Sequence, residues 1–311
     1  MSVLAIVAPV FALIAIGYGA TRLGRLSGTT GKALAEFAFT LAMPALLFRT
    51  LATAKEVPIS PLMIWLAYFG AVAVAWLLAM AATRLLLRRP ADDMAAIAMT
   101  AVYGNIVMIG IPLALATFGE AAVAPMAVIL SVNTPLLWFL GTTMQAMAAR
   151  SGDLSPLSTA LGLLKDLAAN PLIIAILAGG AWHLTGWPLP ALADGVLSLL
   201  AQAGIPAALV SLGASLTNFR IAGQTPTLVT VIVLKLLIMP VTAALICVLL
   251  GLPPVVAGVV ILFAAMPAGS NSYLFAIKFG RVVNSAAGAA ALGTLLSALT
   301  SLPLVAYLAA R

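Results

Sequence analysis

The chain has 311 residues, of which 64% are hydrophobic and only 7% charged. That composition excludes a soluble globular domain and describes a polytopic, all-α membrane protein. The formal charge of +7 does not indicate nucleic-acid binding, because the basic residues sit at the ends of apolar segments, where topology signals belong.

Hydropathy and breaker residues predict ten spans, at 2–21, 33–52, 60–83, 93–119, 121–148, 167–185, 191–217, 226–250, 254–280 and 284–309. Residues 2–21 are too long, and too free of a preceding basic region, for a cleaved signal peptide, and count as the first span. The fourth reads DMAAIAMTAVYGNIVMIGIPLALATFGE and is interrupted by Gly104-Asn105, with Gly110 and Pro112 just after. The fifth carries Ser131, Asn133 and Thr134 ahead of Pro135, which either line a site or satisfy the proline kink. A polar connection at 149–166, with Arg150, Asp153, Lys165 and Asp166, then divides five spans from five. The sixth ends at His183, Gly186, Trp187 and Pro188; Trp182 and Trp187 suit an aromatic belt, and His183 reads as interfacial. The eighth holds Lys235 well inside its apolar run, where a charge is expensive and functional by default. Lys235 could bind substrate charge, exchange a proton, or tie down freed carbonyls; snorkelling to an interface is the alternative. Cys247, the one cysteine, can form no disulfide within the chain and reads as a small core hydrophobe.

The ninth span stops at Pro267-Ala268-Gly269-Ser270-Asn271-Ser272 and resumes. Pro267 lacks a backbone donor, Gly269 relaxes the dihedrals, and the next three residues are N-cap types. Two half-helices meeting within the membrane follow. Unsatisfied backbone at that depth must be buried in protein or line a wet cavity, so the break marks a site. Paired interruptions at matching places in two halves point to a transporter's binding site. Half-helix N-termini offer positive dipole ends to an anion. Asn105, Ser270, Asn271 and Ser272 can add hydrogen bonds to a carboxylate, or only cap the half-helices.

The halves repeat. Pro9 and Pro171 are 162 residues apart, as are Pro44 and Pro206, and Phe118-Gly119 precedes Phe279-Gly280 by 161. Five spans is odd, so the repeat is inverted. Eleven basic residues fall on one side (Arg22, Arg25, Lys32, Arg84, Arg88, Arg89, Arg150, Lys165, Arg220, Lys278, Arg281) and three on the other (Arg49, Lys55, Arg311). The first side is then cytoplasmic and both termini face outward.

No H-E-x-x-H, second histidine or intramembrane aspartate pair supports an enzyme, and no polar stripe over several spans supports a channel. None of the eight acids (Glu36, Glu56, Asp92, Asp93, Glu120, Asp153, Asp166, Asp194) sits at mid-membrane, which argues against strong sodium coupling and leaves uniport or weak proton coupling open.

LAMPALLF at 41–48, GNIVMIGIPL at 104–113, AANPLI at 168–173, LVSLGASL at 209–216 and AAMPAGSNSYLFA at 264–276 resemble the auxin efflux carrier family, which includes plant PIN-type carriers and bacterial carriers of malonate and similar acids. The resemblance implies a fold like that of bile acid symporters, with the fourth and ninth spans unwound and crossing. It implies scaffold helices at 1–55, a transport domain at 56–149, a connecting loop and further scaffold at 150–218, and transport-domain helices at 219–311. Asn105 sits where the plant carriers have a substrate-contacting asparagine, and Gly104 and Ser272 stand where those have proline. The implied function is elevator-type transport of a small organic anion, an auxin-like monocarboxylate or a malonate-like dicarboxylate, in a bacterial inner membrane. A homodimer through the scaffold, no cofactor, no metal and no nucleic acid are expected. A sodium- or proton-coupled symporter is the alternative, and a channel or intramembrane enzyme a remote one.

Overall fold

The structure is a computed structural model that describes residues 3–53, 60–148, 169–218 and 225–309. An apolar chain can satisfy its backbone in lipid by forming helices. In chain order these are α1 (Val3–Arg22), α2 (Gly28–Ala52), α3 (Pro61–Leu86), α4 (Met94–Val102), α5 (106–118), α6 (Val123–Ala148), α7 (Pro171–Thr185), α8 (Ala191–Leu216), α9 (Thr225–Leu249), α10 (Pro254–Ala264), α11 (Ser270–Phe279) and α12 (Val283–Ala309). Among the described residues, seven helical stretches are long and apolar enough to cross a membrane, α5 and α6 counting as one, and α7 and α10 are shorter apolar helices. The polar connection 149–166 lies outside the described residues, with Arg150 and Lys165; so do Lys55, Arg220 and Arg311.

Local chemistry explains the ends. The Ser27 hydroxyl accepts the Thr30 N–H at 3.0 Å and starts α2, and the Asn170 side chain accepts from Leu172 at 3.0 Å with Pro171 as the first residue of α7. Both Phe-Gly landmarks are stops: Gly119 has φ +62° after α5, and Gly280 has φ +66° after α11. Pro44, Pro112 and Pro240 each stand two residues beyond a π-helical turn, at 38–42, 106–110 and 234–238. The wider turn relieves the clash that a proline ring makes with the carbonyl four residues back. Gly110 and Pro112 therefore bend a continuous helical stretch, and the interruption itself lies earlier, at 103–105.

Helices α1 and α8 cross at backbone contact. A Cβ on Gly17 would overlap the Val210 carbonyl, and one on Gly213 would overlap that of Ile14. Helix α2 crosses α7 in the same manner: a Cβ on Gly179 would stand 2.7 Å from the Phe48 carbonyl oxygen. Gly17 and Gly179 are 162 residues apart, and so are Phe48 and Val210. Gly204 packs on Ala42, 162 residues before it. Small residues at such crossings let helices gain dispersion contact that lipid cannot replace.

The core continues from these crossings and is most completely buried around α4 and α10. Residues 95–102 are buried without exception, as are 258–264. Ala67, Ala71, Ala75 and Ala79 give α3 a flat buried stripe, and α4 and α9 pack beside α3. At one end of this group Asp93 joins Arg89 and Arg281, each at 2.7 Å, tying the start of α4 to the segment after α11.

Candidate functional site

Each helix end leaves orphan backbone groups, and burial makes them expensive. Helix α4 ends at Val102, and its partner α10 at Ala264. The two linkers solve the problem together. Asn105 N–H donates to the Pro267 carbonyl at 2.7 Å, and Gly269 N–H to the Tyr103 carbonyl at 2.9 Å. The result is one antiparallel bridge between Gly104 and Ala268, the only β-type contact among the described residues.

Glycine permits the approach. A Cβ on Gly269 would stand 3.1 Å from the Gly104 carbonyl oxygen and 3.2 Å from Asn105 N. On Gly104 it would meet the Lys235 Cε and Nζ at 3.1 Å. The contact point is Ala268; Ser272 lies within α11, a turn further on.

Lys235 stands behind this bridge, 1% exposed. Its ammonium donates to the Ala264 carbonyl at 2.8 Å and lies 3.1 Å from the Met239 sulfur. Ala264 is the last residue of α10, so the cation meets the negative end of a helix dipole. Lys235→Met keeps the aliphatic stem and leaves that carbonyl unpaired. We expect thermal unfolding of the purified variant to show a loss of about 1–3 kcal/mol. An unchanged melting temperature would remove the bracing role.

Helices α5 and α11 both begin at the break, pointing N-terminal amides toward it. Asn105 precedes α5, is 8% exposed, and makes no side-chain capping bond. Ser270, partly exposed, opens α11 without a side-chain cap from Gly269. The Ser272 hydroxyl, fully buried, donates to the Gly269 carbonyl at 2.7 Å and holds the turn. The Asn271 amide donates to the Tyr103 hydroxyl at 2.7 Å, which pairs with Thr134 at 2.6 Å. Either hydroxyl can donate in the Tyr103–Thr134 bond. That chain links both interruptions to α6.

Asn133, beside Thr134, is 1% exposed with neither amide atom partnered, and the Tyr68 hydroxyl on α3 is likewise buried without a partner. Tyr103 and Tyr68 escaped the sequence reading. Tyr103 adjoins Gly104-Asn105 and was visible as a hydroxyl flanking a break, whereas Tyr68 sits in an uninterrupted apolar run. His183 lies at the C-terminal end of α7, where Trp182 Nε1 donates to the Trp187 carbonyl at 3.0 Å. Cys247 is buried in α9. Among the described residues no group of three or more His, Cys, Asp or Glu side chains could hold a metal ion.

Residues 2–305 match the family described as "Membrane transport protein". A Rhizobium meliloti (strain 1021) protein described as a "Putative malonate transporter" is 29% identical over 297 residues, covering 95% of this chain and 92% of that protein. A match of that extent, on a helical chain with two interrupted segments joined at their breaks, assigns the chain to the auxin efflux carrier family of membrane transport proteins: it is an integral membrane transporter and not an enzyme.

Proposed function

We propose that the joined breaks bind a small organic anion and that the chain carries it across a bacterial inner membrane by elevator-type alternating access. The observation that carries this reading is the meeting of two helix N-termini beside an uncommitted amide, that of Asn105. Lys235 already occupies the carbonyl end of α10, so the donor-rich side of the break is left for the substrate. Asn105 and Ser270 contact the anion, with Gly104 and Gly269 letting the backbone approach. Asn271 and Asn133 complete the polar wall, and Ser272, Pro267, Gly110 and Pro112 shape it. Malonate-like dicarboxylates are the first class to test, given the description of the Rhizobium relative. No carboxylate stands at the break among the described residues: Asp93 is paired with arginines, as is Asp194 with Arg49 at 2.6 Å, and Glu36 is exposed. Potential-driven uniport fits this better than cation symport.

The packing supports two moving parts. Helix α8 packs extensively on α1 and α2, and α2 on α7; these four make up the proposed scaffold, and α3–α6 and α9–α12 the proposed transport domain around the bridge. Two scaffold crossings with exchanged partners at one sequence offset support an inverted repeat, with ten membrane crossings once the α4–α5 and α10–α11 pairs each count as one. By the charge rule both termini face the periplasm. Apolar Leu177, Leu192 and Leu199 on the exposed side of the scaffold suit a homodimer contact. Purified protein in proteoliposomes should accumulate labelled malonate against internal malonate in counterflow, saturably. Flux at channel rates, or no counterflow with any acid of a mono- and dicarboxylate panel, would reject the carrier.

A further inference from the structure

The Lys235 ammonium is a buried cation that makes no ion pair among the described residues: Asp92 and Asp93 meet Arg281, Asp194 meets Arg49, and Glu36 and Glu120 are exposed. The turn that holds it, 234–238, packs on α3, α4 and α12. Its side chain meets the Ala264 carbonyl, the Met239 sulfur and Gly104, none of which carries a net charge. The carboxyl end of α10 supplies about half a negative charge, so part of the cation stays unbalanced inside an apolar layer.

Gly104 lies between that charge and the break. A Cβ on it would stand 3.1 Å from the Lys235 Nζ. One Cα–Cβ bond and one peptide step of about 3.8 Å then put the Asn105 Cα within about 8.5 Å of the ammonium. An anion held by the Asn105 amide or the first N–H groups of α5 is thus on the order of 10 Å from Nζ. Residues 101–106 and 264–269 are buried, so the field crosses protein rather than water.

We infer that Lys235 is the charge complement of the transported anion: it acts across the bridge without touching the substrate and sets how strongly the site responds to substrate charge. The inference rests on the site reading above and adds the residue that senses charge. The bridge donors are neutral and recognise a carboxylate by position and hydrogen bonding. A fixed cation behind them adds an attraction that grows with each further negative charge on the acid. The bound acid in turn balances a charge that the empty protein holds unpaired in the bilayer.

Equilibrium binding to the purified protein tests this with malonate and its half-amide, which share a shape and differ by one charge at neutral pH. Lys235→Gln removes the charge and keeps a donor for the Ala264 carbonyl; Lys235→Met removes both. At about 10 Å and an effective dielectric constant of about 20, one charge pair is worth roughly tenfold in affinity. Both variants should therefore bind the half-amide about 10-fold more weakly than the wild type does, and malonate about 100-fold more weakly. A brace that only shapes the site would weaken both acids by one common factor. Equal losses in folded Lys235→Gln, or no loss, would overturn the inference and leave the site standing. Where Lys235→Met is too unstable to titrate, Lys235→Gln carries the comparison. No binding of either acid to the wild type would overturn the site reading, and the inference with it.

Discussion

Asn105→Ala should reduce transport about 10- to 100-fold, which is what loss of one hydrogen bond to a buried carboxylate predicts at 1.5–3 kcal/mol. The loss should appear in KM and in binding of the acid, since in the proposed site the amide would touch the anion before and during translocation. Folding should be spared. The Asn105 backbone N–H, which makes the bridge to Pro267, survives the substitution, and the side chain makes no capping bond to lose. Alanine also tolerates the φ of −77° and ψ of 56° found there, close to those of an inverse γ-turn. Uptake at equal membrane abundance, beside a melting curve on purified protein, separates the two effects. Unaltered transport would place the substrate elsewhere; reduced transport with an equally reduced melting temperature would make Asn105 structural.

Gly213→Val should leave little folded protein. The overlap is with the backbone of Ile14 and, at 2.8 Å, the Tyr18 nitrogen, so no side-chain rotation relieves it. Helices α1 and α8 would have to separate along their length, forfeiting one of the extensive helix pairs among the described residues. Gly17→Val should do the same through Val210. Gly19→Val, whose Cβ would meet nothing within 4 Å, is the matched control. Monodispersity after detergent extraction reads the outcome, and normal yield of Gly213→Val would refute the close crossing.

The sequence carried the interruptions openly, because Gly, Pro and N-cap residues within apolar runs are costly and hence informative. It did not carry how they meet. The bridge is backbone to backbone, so the side chain of Ala268 gives no hint of its part, and N-cap chemistry drew attention to Ser272, whose hydroxyl closes a local turn. Asn105 was readable as polar; that its amide is uncommitted needed coordinates. Pro44 was readable only as a repeat landmark and Pro112 only as a neighbour of the break; the π turns that precede them and Pro240 needed coordinates. Lys235 was conspicuous by charge alone, and only geometry chose the Ala264 carbonyl among its possible partners.

On the inverted-repeat reading, the exchanged glycine crossings define a half-turn axis in the membrane plane, near Ala42 and Gly204. Turning the molecule over on it brings Leu295, in the wall of a half-open cavity between α1 and α12, onto Asn133, again 162 residues away. On the proposed alternating mechanism, the Asn133 amide, now sealed without partners, would become a wetted surface in the opposite arrangement. Keeping it dry costs about 1–3 kcal/mol. Under that mechanism the penalty would favour whichever arrangement lets the Asn133 amide meet water or substrate.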